Sequence, residues 1–150
     1  MHANVSAINI SVVEGMRAMN LAPLLAAPAV IQVHAFAALS AFALGAVQLA
    51  APKGTIPHRT FGWLWAGLML VLVLSSFFIH TIRLWGPFSP IHLLSIFTMA
   101  MLPLAVWRAR QHDVRKHQRA MLGLFLGALV IAGIFTFLPG RIMHAVVFGS

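Results

Sequence analysis

Residues 89–123 read SPIHLLSIFTMAMLPLAVWRARQHDVRKHQRAMLG. A proline and a histidine lead into a long apolar run, then come a basic stretch, a second histidine and a glycine-bearing apolar run. Residues 27–67, APAVIQVHAFAALSAFALGAVQLAAPKGTIPHRTFGWLWAG, share that layout. His34 and His58 stand 24 residues apart, and His92 and His117 stand 25 apart. The second histidine opens His58-Arg59-x-x-Gly62 in one copy and His117-x-Arg119-x-x-x-Gly123 in the other. The match is one of pattern, and it reads as a single helical hairpin used twice.

Working outward, the chain has 150 residues, of which 61% are hydrophobic and only 8% charged. Soluble domains carry about a quarter charged residues, so this is an integral membrane protein. Residues 18–52, 60–82, 84–107 and 120–140 contain no Asp, Glu, Lys or Arg. Each of these runs reaches the roughly 20 residues that a span requires. They lack the period-two alternation of a barrel strand, and a backbone in lipid must close its own hydrogen bonds, so the spans are helices. The expected fold is an all-α four-helix bundle over residues 28–150, preceded by an outer or interfacial segment, 1–27, with a short surface helix near 3–20. That segment has no basic signal-peptide n-region and is expected to be retained.

The net charge of +8 follows topology. Seven of the ten basic residues, Lys53, Arg59, Arg108, Arg110, Arg115, Lys116 and Arg119, fall in the first and third connections. The positive-inside rule places those connections in the cytoplasm and both termini outside, in a bacterial inner membrane, and removes the need for a nucleic-acid partner. The stretch 108–119 reads as a basic inner loop following a third span that ends at Trp107. With no cysteine in the chain, disulfides, thiolate metal sites and iron–sulfur clusters are excluded.

Side-chain stripes come next. His34, Ala38, Ala41, Gly45 and Gln48 follow helical steps and predict a face turned to protein, where small residues let a neighbour come close. His58, Gly62, Trp65, Met69, Val73, Ser76 and His80 form a second stripe. Gly123 and Gly127 make a GxxxG pair, expected to be a close-packing face of the fourth span.

In an up-down-up-down bundle the first and third spans are diagonal, as are the second and fourth. His34 would then oppose His92 toward the outer side, and His58 would oppose His117 toward the inner side. Histidines in a span are functional candidates by default. Two neutral imidazoles facing each other without a carboxylate suit the axial positions of a haem iron. Arg83 and Arg141 outside, and Arg59 and Arg119 inside, suit haem propionates. Glu14 and Asp113 are the only acids, which argues against carboxylate-bridged metals, carboxylate proton relays and Asp-dependent triads. Two other readings stay open: a haem-free accessory or assembly subunit of a membrane complex, and a metal-handling protein with an outer cluster of His34, His80, His92 and His144. His2 and His112 read as ordinary exposed residues.

The segments HRTFGWLWAG, GPFSPIHLLSIFTM, HQRAMLGLFLGALVIAGIFTFLPGR and the terminal IMH resemble an uncharacterised bacterial family of small predicted membrane proteins, from about residue 28 onward. At a coarser level the chain is similar to the four-helix transmembrane b-type cytochromes of the cytochrome b561 kind. That resemblance implies His34 with His92 and His58 with His117 as ligands of one or two b-type haems, and electron transfer as the activity. The partners it implies are the lipid bilayer, a quinone or a membrane redox protein; a second copy of the chain is a further candidate.

Overall fold

The computed structural model of the chain describes residues 20–79 and 90–149. Among them there is no strand. Short helix α1 (Ala22–Leu25) precedes α2 (Ala29–Ala50), α3 (Ile56–Ser76), α4 (Pro90–Arg110) and α5 (Val114–Thr136), and α6 (Ile142–Phe148) ends the chain. α2 to α5 are long and apolar enough to cross a membrane, and the protein is an all-α, multi-pass four-helix bundle made of two hairpins. The surface helix expected near 3–20 falls, except for Asn20, outside the described residues; so do His80, Arg83 and the outer loop that carries them.

Two compact units share the chain. The larger, residues 28–134, holds the spans. α2 packs on α3, α3 on α4, α4 on α5, and α5 back on α2, with no backbone contact among the described residues between α2 and α4 or between α3 and α5. The crossing order is therefore that of a simple bundle, with the diagonals the hairpin reading requires. In the smaller unit α1 lies against α6, burying Leu24 and Val146, and the Asn20 N–H donates to the Val146 carbonyl at 2.9 Å.

Local chemistry sets the helix ends. Pro52 cannot extend α2, and the Lys53 ammonium donates to the last carbonyls, those of Leu49 and Ala51. Thr55 caps α3 by accepting from the His58 N–H, and Pro57 sits in the first turn, where its missing donor is harmless. The expected basic loop over 108–119 is corrected here: α4 continues to Arg110 and α5 begins at Val114, leaving Gln111–Asp113 as the connection. Arg and Lys are good helix formers, and long basic side chains snorkel from a helix end to water, so positive charge did not require a loop. Asp113 caps α5. Its carboxylate accepts from the Lys116 N–H at 3.2 Å and lies 3.0 Å from the Lys116 ammonium and 4.0 Å from Arg108.

The core is built around Trp65, Met69, Leu102, Leu124 and Phe125. The Trp65 indole N–H donates to the Ala41 carbonyl at 2.9 Å, and Phe42 stacks on Phe125 with ring centres 5.5 Å apart. Gly45 makes this possible: a Cβ there would stand 2.7 Å from the Phe125 ring and 2.8 Å from Trp65 Nε1. The α2 stripe thus faces protein as expected. The GxxxG expectation is corrected, because a Cβ at Gly123 or Gly127 would meet nothing within 4 Å. Phe125–Ile131 is a π-helical stretch inside α5, and its wider turn breaks the α-helical period on which that stripe was read. Large apolar side chains such as Phe36, Leu74, Phe97 and Ile131 point outward, toward the bilayer.

Gly45→Ala should lower stability by about 1–3 kcal/mol through overpacking, whereas Gly123→Ala should be neutral or raise it by about 0.5–1 kcal/mol. Thermal unfolding in mild detergent compares them; a more damaging Gly123→Ala would contradict this packing. The side-chain bond from Lys116, followed by its backbone N–H, holds the Asp113 carboxyl below its ordinary 3.8. A carboxyl with a lowered folded pKa adds stability that is complete above the unfolded value and is lost as pH falls through the folded one. Protection of the Lys116 amide, its exchange rate relative to an unstructured peptide at the same pH, should therefore be present at neutral pH and be lost below pH 3.8, and Asp113→Ala should lack it throughout. Exchange indifferent to both changes would refute the cap.

Candidate functional site

At the end of the bundle that carries the two short connections lies a cavity of about 740 Å³, inside the roughly 300–1,000 Å³ range of small-molecule and cofactor sites. All four spans line it: Gly45 and Gln48 from α2, His58, Gly62 and Trp65 from α3, Leu102 and Val106 from α4, and His117, Met121 and Phe125 from α5. Trp65 and Phe125, fixed by their contacts at Gly45, belong to its wall.

His58 and His117, from the diagonal helices α3 and α5, both line this cavity. Five residues separate α2 from α3 and three separate α4 from α5. Such short connections bring the starts of α3 and α5 to the same end of the bundle. His117 Nδ1 lies 2.9 Å from the Ala105 carbonyl. A carbonyl only accepts, so in the neutral ring Nδ1 carries the proton and Nε2 keeps a lone pair. Partners of this kind orient metal-ligating histidines. His58 Nδ1 is buried and meets no hydrogen-bond partner among the described residues, at a cost of about 1–3 kcal/mol. The neighbouring backbone is held: Gln48 Nε2 donates to the His58 carbonyl at 2.9 Å.

Lys53, Arg59 and Arg110 add positive charge to the lining, which includes no acid among the described residues. The Arg110 guanidinium lies 5.5 Å from the centre of the Trp63 ring, the two helices meeting through a cation–π contact. Cations around an apolar chamber favour a ligand with an anionic edge.

His34 and His92 sit elsewhere. His34 Nδ1 and Ser75 Oγ are hydrogen-bonded at 3.0 Å, and the Ser75 hydroxyl donates to the Leu72 carbonyl. His92, 4% exposed, packs near Phe77 with ring centres 6.1 Å apart. Both therefore meet the C-terminal end of α3, His34 at Ser75 and His92 at Phe77, the residue that follows the helix. One turn along α4 from His92, Ser95 Oγ is 2.5 Å from Ser76 Oγ, a polar link between helices of the kind spans use to associate. Of the inner arginines, Arg59 lines the cavity and Arg119 does not. Arg141 precedes α6, and His144 bonds the Phe137 carbonyl at 2.9 Å, both in the smaller unit. His80 and Arg83 lie outside the described residues. Among the described residues no three His, Asp or Glu side chains group as a metal site.

His112 is exposed in the turn between α4 and α5, as its sequence reads; what sequence reasoning did not give is that it stands in the cavity's lining. One signal was available: the turn between α4 and α5 contains neither Gly nor Pro, so some other residue had to take the turn conformation.

No curated protein and no solved structure matches the chain. The chain belongs to the family described as predicted membrane protein (DUF2306), whose model matches residues 31–148.

Proposed function

We propose that this is a membrane electron-transfer protein whose cavity holds one b-type haem, with His58 and His117 as its axial ligands. The observation that carries this reading is that imidazoles from two diagonal helices line one cavity, one of them with its tautomer set by the Ala105 carbonyl. Donor count supports it. A structural zinc site takes four protein ligands, while a haem iron asks only two of the chain.

Each part of the lining then has a role. His117 presents Nε2, and His58 lines the same cavity from the diagonal helix. Trp65, Phe125, Leu102 and Met121 supply apolar walls that exclude water. Arg59 fits a carboxylate at the ring's edge. A b-type haem held by His58 and His117 would supply one-electron transfer. The positive-inside rule, applied to the connections beside the cavity, puts the site at the cytoplasmic face. The electron partner is then a quinol or a redox protein reaching that face. In this reading His34 and His92 serve as polar fasteners between helices and hold no iron.

The test is haem content per chain and the reduced-minus-oxidised visible spectrum of protein purified in mild detergent from haem-replete cells. Sharp b-type bands at about one haem per chain are expected. His58→Ala and His117→Ala should abolish them, and His34→Ala and His92→Ala should preserve them. A featureless spectrum, or haem lost only in the His34 and His92 variants, would overturn the reading.

A further inference from the structure

His112 stands where helices ordinarily place glycine. At the end of α4 the Asp113 N–H donates to the Arg108 carbonyl and the His112 N–H to the Ala109 carbonyl, both at 3.1 Å. This pair of bonds satisfies the last carbonyls of a helix and puts the residue after the cap in the left-handed region. His112 has φ 58° and is the one residue other than glycine with a positive φ among the described residues. Gly54, Gly140 and Gly149 occupy the comparable turns, at 78°, 80° and 68°. A side chain at such a position is strained relative to glycine.

His112 is exposed and lines the cavity, as do Gly54, His58 and His117; of the two left-handed turns in the lining, this one carries a side chain. The charged and titratable groups that share the lining are Lys53 from the first connection, Arg59 from α3 and Arg110 from α4. Lys53 is already committed to the carbonyls of Leu49 and Ala51, and the Arg110 guanidinium to the face of Trp63. An imidazole brings to this wall an N–H donor that glycine would not.

We infer that His112 is a ligand-positioning residue: its imidazole donates a hydrogen bond to the carboxylate edge of the flat ligand bound between His58 and His117, and the strained turn keeps it there. The inference rests on the haem reading above. It adds a residue that touches no iron, and it accounts for the histidine at a glycine position.

The experiment uses the full-length haem-loaded protein and two variants. His112→Gly removes the donor and the strain; His112→Asn keeps an N–H donor on a residue that tolerates the left-handed region. Removing one charge-assisted hydrogen bond should speed haem loss to an excess of apomyoglobin about tenfold in His112→Gly, while its apoprotein melts about 2–4 °C higher than wild type. His112→Asn should release haem at close to the wild-type rate. Wild-type haem loss in His112→Gly, or a His112→Gly apoprotein that is less stable or misfolded, would overturn the inference and leave the haem reading standing. A wild-type protein that takes up no haem would remove both.

Discussion

Three helices meet at the hydrogen that Gly45 carries in place of a side chain. Phe125 of α5 and Trp65 of α3 occupy the space a Cβ would fill, and the Trp65 indole closes the contact through the Ala41 carbonyl one turn away. In lipid, helices gain little from the hydrophobic effect when they associate, so close packing and interhelical hydrogen bonds carry the association. This cluster supplies both. It also fixes the two aromatic rings that form part of the cavity wall, and so the position of that wall depends on a glycine.

The cavity follows from that packing and from the two short connections. α3 and α5 start at the same end of the bundle, each with a histidine in its first turn, and the bundle's crossing order sets those histidines on diagonal helices. Carbonyls already used inside a helix are still available as second acceptors, and Ala105 uses this capacity to orient His117. Lys53, Arg59 and Arg110, three of the basic residues concentrated around the two short connections, line the same space and give the proposed site its positive charge.

Much of the architecture was legible in the residues. Charge-free runs of sufficient length marked four spans, the repeated hairpin layout implied the diagonals, and the stripe from His34 to Gln48 named the packed face of α2. What failed did so for local reasons. The spacing of Gly123 and Gly127 marks a smooth face without saying which way it points, and the π-helical stretch beginning at Phe125 breaks the period across it. Charge density at 108–119 suggested a loop, but arginine and lysine extend helices readily, and Asp113 capped the next helix sooner. Depth in the span drew attention to His34, and the structure adds its hydrogen bond to Ser75. His58 and His117 looked peripheral at the helix starts, while the helix starts are where the cavity lies. His112 reads as exposed and is exposed; its place in the lining comes with a left-handed turn that its neighbours in sequence do not announce.

The central claim is that two imidazoles of this chain hold one iron on both sides. The low-temperature EPR spectrum of the oxidised, haem-replete protein tests it most directly. A low-spin ferric signal typical of two imidazole ligands is the expected result. A high-spin ferric signal, with an axial position open or taken by a weak ligand, would contradict the claim.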